Sequence, residues 1–128
     1  MPKQAIFVFT AILTLLLSIF AFSFLSKNKP FQTTLPQGQI HEIVLGENGF
    51  TPNEITIKPG DSIKFTTELN EPFWPASNLH PTHGIYPEFD PQRPIEATSS
   101  WTFQFLKLGI WKYHDHLNPY LRGTIIVE

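Results

Sequence analysis

The chain has 128 residues, of which nine are Lys or Arg, eleven are Asp or Glu and none is Cys. An apolar N-terminal segment leaves about 100 residues, enough for one domain, which excludes a multidomain enzyme, while the missing Cys excludes disulfides, thiolate nucleophiles and thiolate-ligated metals. From Pro30 onward the chain contains six Lys and Arg residues and eleven Asp and Glu residues, which gives a formal charge of −5. This negative charge argues against nucleic acid as a partner.

The N-terminal segment from Ala5 to Leu25 contains 21 residues without a charge. At about 1.5 Å of rise per residue, a helix of this length crosses the roughly 30 Å hydrocarbon core of a bilayer. We therefore predict that residues 1–26 form one transmembrane helix that anchors the chain. The alternative is a cleaved signal sequence, because small residues at Ala21 and Ser23 provide a cleavage site. Either segment would export the rest of the chain to the periplasmic or extracellular face, and cleavage would make the protein secreted.

The remainder of the chain is predicted to be a linker followed by one domain. Residues 27–39 contain proline and glycine without a sustained periodicity, which is typical of a linker. Residues 40–128 contain short β-branched or aromatic segments bounded by Gly, Pro, Asn or Asp, which predicts an all-β domain, most simply a β-sandwich. The predicted strands are 40–45, 54–58, 62–67, 99–105, 110–116 and 124–128.

A long connection interrupts these strands between residues 70 and 94. It is rich in proline and shows no strand pattern. Because compact domains seldom contain unstructured connections of this length without a use for them, we expect a functional loop. Farther along, Trp101, Phe103 and Phe105 alternate on one strand, as Trp111 and Tyr113 do on another, and both sets are predicted to face the core.

Four of the five histidines occur in two close pairs. His80 and His83 lie in the long loop, and His114 and His116 lie at the end of a predicted strand, where residues i and i+2 share a face. If the pairs converge, they offer three or four imidazole nitrogens, which suit copper, zinc, iron or nickel. We predict that these four histidines bind a metal; the alternative is that they are solvated side chains near turns.

Three carboxylates lie close to these histidines in the sequence. Asp115 separates one histidine pair, and Glu88 and Asp90 follow the other. Each could bind a metal directly or orient an imidazole through a hydrogen bond to the ring nitrogen that does not bind the metal. The alternative is that they cap turns. Trp74 could similarly shield a metal, although an aromatic residue in a sandwich most often belongs to the core.

Four sequence segments together resemble the cupredoxin family. They are Gly-Phe-Thr-Pro at 49–52, Ile-Thr-Ile-Lys-Pro-Gly-Asp at 55–61, Gly-Ile-Trp-Lys-Tyr-His at 109–114 and Arg-Gly-Thr-Ile-Ile-Val at 122–127. The resemblance implies a Greek-key β-sandwich with a copper site at one end. It also places Asp115 at the position of the family's Cys, Asn118 near its C-terminal His and Leu121 near its axial Met. Blue-copper electron transfer, which depends on the copper–thiolate bond, is therefore not expected.

The histidine segments are instead similar to those of multicopper oxidases. The segments concerned are His-Pro-Thr-His at 80–83 and Trp-Lys-Tyr-His-Asp-His at 111–116. This resemblance implies that His83, His114 and His116 match ligands of a copper cluster between two domains, and that His80 matches a position facing a mononuclear site. A single domain supplies half of such a cluster, so two arrangements stay open: a self-contained four-histidine site, or a site shared by symmetric copies.

The predicted function is copper binding and handling by a membrane-anchored extracytoplasmic domain with histidine ligands. Copper is the expected metal and zinc the alternative; the expected partners are the membrane, a second copy of the chain or a protein that receives copper. The alternatives are a metal-free interaction module and an oligomeric copper oxidoreductase. Because the sequence shows no catalytic triad or phosphate-binding loop, any enzymatic activity would depend on the metal. Since imidazole binds metals only when neutral, the affinity should fall as pH drops through roughly 6.5.

Overall fold

The computed structural model describes residues 38–128. The predicted anchor or signal sequence at 1–26, and all but the last two residues of the predicted linker at 27–39, lie outside the described residues. Within 38–128 the chain forms no helix with the length and hydropathy that a membrane crossing requires.

The described residues form two four-stranded sheets, which confirms the prediction of an all-β, two-sheet domain. The first sheet has the order β2-β1-β4-β6 and the second has the order β3-β8-β7-β5. Each sheet contains one parallel pair, β1 with β4 and β3 with β8. The strands are β1 Ile40–Gly46, β2 Gly49–Thr51, β3 Glu54–Ile57, β4 Ser62–Thr67, β5 Pro75–Ser77, β6 Trp101–Gln104, β7 Gly109–Asp115 and β8 Asn118–Val127.

An aromatic core fills the space between the sheets. In β4 the alternate residues Ile63 and Phe65 are completely buried, as the period of two along a strand requires. The Phe65 ring stacks on Phe89 with 5.7 Å between ring centroids and meets Tyr113 edge-on at 5.5 Å. The aromatic residues predicted to face the core pack within or against it, namely Trp101, Phe103, Phe105, Trp111 and Tyr113.

The long loop contains a short strand that the sequence pattern does not indicate. Residues 75–77 form β5, so the prediction that residues 70–94 hold no strand is wrong. This strand has three residues, all buried, and therefore shows no alternation of apolar and polar side chains. Pro75 is tolerated because it begins a strand at the edge of the sheet. By pairing Ala76 with His114, β5 brings the loop alongside β7.

The hydroxyl group of Tyr113 is buried and has no hydrogen-bond partner within residues 38–128. Burial also raises the pKa of this phenol, because the charged form is poorly solvated. An unsatisfied buried hydroxyl costs free energy, so we expect Tyr113→Phe to leave the free energy of unfolding unchanged or to raise it by about 1 kcal/mol. Urea denaturation of the two proteins measures this difference, and a loss of stability in the variant would show that the hydroxyl has a partner.

Candidate metal centre

Two elements bring the histidine pairs to the same end of the domain. His114 lies on β7, and His116 follows immediately after that strand ends. The backbone N–H of His116 donates to the carbonyl oxygen of Trp74 at 2.7 Å, which holds the start of the long loop against the end of β7. The loop then returns His80 and His83 toward the strand. All four predicted histidines are therefore neighbours, with ring centroids 4.7 Å apart for His80 and His116 and 5.4 Å apart for His83 and His114.

Three of these side chains form the group that is compatible with metal binding. His80, His114 and His116 each offer one ring nitrogen, and the three nitrogens lie within 4.8 Å of one another. We call this set the three-histidine group. Its members differ in exposure, since His80 is exposed, His116 is half-buried and His114 is buried. Because metal–imidazole bonds are about 2 Å long, nitrogens that share one ion lie within about 4 Å of one another, so binding would draw these rings together.

His114 is the most deeply buried member, with 1% of its surface exposed. Its Nδ1 lies 2.9 Å from the side-chain oxygen of Asn78. An amide oxygen can only accept a hydrogen bond, so Nδ1 carries the proton and Nε2 keeps the lone pair. That Nε2 is buried and has no hydrogen-bond partner in the described part of the chain. A buried nitrogen with a free lone pair is costly in a closed core but is what a metal ligand requires.

Burial and neighbouring imidazoles favour the neutral form of two of these rings. For His114, burial is the larger cause and the nearby His83, His80 and His116 add to it, lowering the pKa to about 4. For His116, burial together with His83 and His80 also lowers the pKa, although Asp90 and Asp115 oppose them. These two rings therefore remain neutral, and able to coordinate, at a pH where an ordinary histidine is partly protonated.

His83 lies beside the three-histidine group and is tied to a carboxylate. Its Nε2 is 2.9 Å from Nδ1 of His116, and its Nδ1 is 2.6 Å from Asp90 Oδ2. Burial raises the pKa of Asp90, but the hydrogen bonds from His83, Gln92 and Trp74 outweigh it and lower that pKa overall. Asp90 is therefore ionised at neutral pH, and the His83 ring is held between it and His116.

Trp74 contacts both of these partners. Its ring centroid lies 4.4 Å from that of His116, with 35° between the ring planes. Its indole Nε1 donates to Asp90 Oδ1 at 2.8 Å. Trp74 is only half-buried, so its place beside the histidines fits the shielding role considered from the sequence better than a place in the core.

The other two predicted carboxylates have different partners. Asp115 is buried, which raises its pKa, and it accepts hydrogen bonds from the backbone N–H groups of Trp74, Leu117 and Asn118. It therefore fixes the turn between β7 and β8. Glu88 is exposed and pairs with Lys107 at 2.9 Å. Of the three carboxylates, Asp90 is the one whose hydrogen bonds in the described structure include a histidine side chain.

Two features of this region could not be identified from the sequence. Asn78, which orients His114, lies 36 residues away from it and belongs to no motif. The choice between Glu88 and Asp90 was also open, because both follow His83 in the same loop. The fifth histidine, His41, is separate from the others, with its Nε2 3.1 Å from Asp61 Oδ2.

Comparison with protein-family models gives no match for the sequence, and comparison with curated proteins gives none either. Solved structures do match. A reduced variant of amicyanin superposes with a TM-score of 0.60 at 18% identity, covering 74% of this chain and 87% of amicyanin. A second amicyanin variant, in a reduced Cu(I) form, gives 0.59 at 18% identity with the same coverage. A purple cupredoxin from Nitrosopumilus maritimus gives 0.59 at 19% identity, covering 68% of this chain and 98% of that protein.

The described domain has the cupredoxin fold. The resemblance inferred from the sequence is thus confirmed at the level of the fold. This cupredoxin domain lacks the Cys of a blue-copper centre, because the chain contains none. Asp115, which the sequence resemblance places at the position of that Cys, accepts a hydrogen bond from the backbone N–H of Trp74.

Proposed function

We propose that this cupredoxin domain binds copper through His80, His114 and His116, and that it serves copper binding and handling rather than blue-copper electron transfer. The observation that supports the proposal is the buried, unpartnered Nε2 of His114 within the three-histidine group. A solvated histidine near a turn would instead expose that nitrogen to bulk solvent. A metal ion would satisfy it and offset the cost of burying it.

The donor set favours copper among the metals that imidazole binds. The three-histidine group consists of nitrogen donors, and divalent copper has the highest affinity for such donors among the first-row metals. His83 offers a fourth nitrogen beside His116, in agreement with its prediction as a ligand from the sequence. When bound, copper would supply a redox-active centre; the chain itself holds the ligands neutral, orients His114 through Asn78 and covers His116 with Trp74.

The cellular setting is part of the proposal. Residues 1–26 would anchor the chain in a membrane, or direct its secretion if they are cleaved, and the cupredoxin domain would face the periplasm or the outside of the cell. A second copy of the chain or a copper-receiving protein would be the partner. His80 supports such exchange, because this exposed ring gives a partner's ligand access to the edge of the site.

Titration of the full-length chain with Cu(I), Cu(II) and Zn(II) tests the proposal. We expect tight, stoichiometric copper binding that is lost when His114 and His116 are both changed to Ala, because two of the three nitrogens disappear. A ratio of one copper per chain would indicate a self-contained site, and a smaller ratio that depends on association would indicate a shared one. Circular dichroism of the variant verifies that its sheets remain folded.

The matched control is His41→Gln, which removes a histidine outside the group. It should bind copper as the unchanged chain does. Equal copper binding by the unchanged chain and the His114/His116 variant would contradict the proposal and favour the metal-free interaction module.

A further inference from the structure

Asp90 occupies a position that controls which nitrogen of His83 carries a proton. Its Oδ2 lies 2.6 Å from Nδ1 of His83, and its Oδ1 accepts hydrogen bonds from Trp74 Nε1 at 2.8 Å and from the backbone N–H of Gln92 at 2.7 Å. All three partners therefore have to be donors, because an ionised carboxylate can only accept. Nδ1 of His83 must then carry a proton, which in the neutral ring leaves the lone pair on Nε2.

That lone pair faces one member of the three-histidine group, His116, and can accept a hydrogen bond from its Nδ1–H. Nε2 of His83 is 2.9 Å from Nδ1 of His116, and 4% of the His83 surface is exposed. The backbone of His83 also has a φ of 52°, a left-handed conformation that is uncommon outside glycine. The loop thus holds this ring between one carboxylate and one imidazole, with few alternative orientations.

We propose that Asp90 is a positioning residue that acts through His83, fixing the tautomer whose Nε2 lone pair is directed at the three-histidine group. This inference rests on the proposed function. In the metal-free chain that lone pair can accept a hydrogen bond from Nδ1 of His116, and the three-histidine group that it supports is the site assigned to copper. Carboxylate–imidazole pairs of this kind fix ring orientation and raise the basicity of the ligand. Asp90 acts on His83 as Asn78 acts on His114, so the long loop and β5 together set the proton position on two of the four rings.

Asp90→Asn provides a sharp test, because the two structural donors decide which way the new amide points. Turning its oxygen toward Trp74 and Gln92 satisfies both N–H groups, whereas turning its NH₂ toward them would leave three donors facing each other. The amide NH₂ therefore faces Nδ1 of His83 and requires that nitrogen to accept. The proton of His83 should move to Nε2, which removes the lone pair.

The tautomer of His83 can be read by ¹⁵N–¹H correlation of the imidazole nitrogens in the metal-free, full-length chain. We expect the Nδ1–H form in the unchanged protein and the Nε2–H form in Asp90→Asn. A side chain with a merely structural role would not move the proton. The inference is overturned if His83 is in the Nε2–H form at the start, or if Asp90→Asn leaves its tautomer unchanged.

Copper affinity provides the second readout. Loss of an outer hydrogen-bond partner typically weakens metal binding by about 10- to 100-fold, and we expect a loss in this range for Asp90→Asn. The matched control is Glu88→Gln, the same chemical change two residues away on an exposed side chain that pairs with Lys107. It should change neither tautomer nor affinity. An equal loss in both variants would overturn the inference.

The two readouts separate this inference from the proposed function. Absence of copper binding by the unchanged chain would refute the proposed function, and with it the purpose assigned to Asp90. Copper binding that depends on His114 and His116 but is unaffected by Asp90→Asn would retain the proposed function and refute the positioning role.

Discussion

Replacing Gly123 by Ala should destabilise the domain by about 3 kcal/mol, because an added methyl group has no room against the ring of Tyr113. Gly123 lies opposite Tyr113 in the pairing of β7 with β8 and is buried. A Cβ at this position would overlap the phenol oxygen and two ring carbons. The Tyr113 ring is completely buried among Phe50, Phe65 and Phe89, so it cannot move aside.

Urea denaturation of Gly123→Ala measures the loss of unfolding free energy. The control is Gly84→Ala in the exposed part of the long loop, where an added Cβ meets its nearest neighbour, the Thr82 hydroxyl, at an ordinary 3.6 Å. This variant should stay within about 0.5 kcal/mol of the unchanged protein. In a Tyr113→Leu background the cost of Gly123→Ala should shrink, because the overlapping ring atoms are gone. A full, additive cost in that background would show that the contact is not the cause.

The metal-free protein should lose stability as pH falls from about 6.5 toward about 4. Unfolded His114 takes up a proton near 6.5, whereas in the folded domain burial and the neighbouring imidazoles lower its pKa to about 4. Between these values the unfolded chain binds more protons, so acid favours unfolding, by up to about 3 kcal/mol at the low end. His116, whose pKa is also lowered, contributes in the same direction. Asp115 opposes them near the acid end, because burial raises its pKa.

The free energy of unfolding, measured in urea at several pH values, gives this slope. His114→Gln removes the titrating ring, so its stability should change much less across the same range. His41→Gln should keep the part of the slope that is due to His114, since His41 lies outside the three-histidine group and pairs with Asp61. Parallel curves for the unchanged protein and His114→Gln would mean that other groups cause the pH dependence. The lowered pKa of His114 also affects copper binding. Protons should compete with copper for this ring only at a pH below the value of about 6.5 expected for an ordinary histidine.

The strands with a clear alternation were predictable from the sequence, and the short ones were not. β4 alternates Ile63 and Phe65 with polar residues over six positions, which identifies it at once. β2 and β5 have three residues each, too few to show a period of two. Their places depend on pairing with distant partners, and a local pattern carries no information about such pairing. The predicted sixth strand at 124–128 also starts too late. β8 begins at Asn118, and its first five residues, of which none is buried or β-branched, carry no clear strand signal.

The sequence was sufficient to predict which histidines form the site. It was not sufficient to predict which neighbouring residues orient them. The spacing of His114 and His116 on a strand indicates a shared face, and the structure brings both beside His80. It also ties His83 to Asp90 and turns Glu88 toward Lys107. Asp90 and Glu88 belong to the same loop, and the path of the backbone decides which of them contacts a histidine. Similarly, Asn78 reaches His114 because β5 pairs with β7, which is a long-range contact.

The position of β8 within its sheet has a consequence for the order of folding. β8 follows every other strand in the chain, yet it lies in the interior of the sheet, between β3 and β7. Its pairing with β3 joins Glu54 to Thr124, so the polypeptide must close a very long loop before this sheet exists. During synthesis, all of the histidines would already be part of the chain before β8, the interior strand of the sheet that carries His114, was made. Copper binding would therefore report on completed folding, and an unfinished chain would present its histidines without their enclosing geometry.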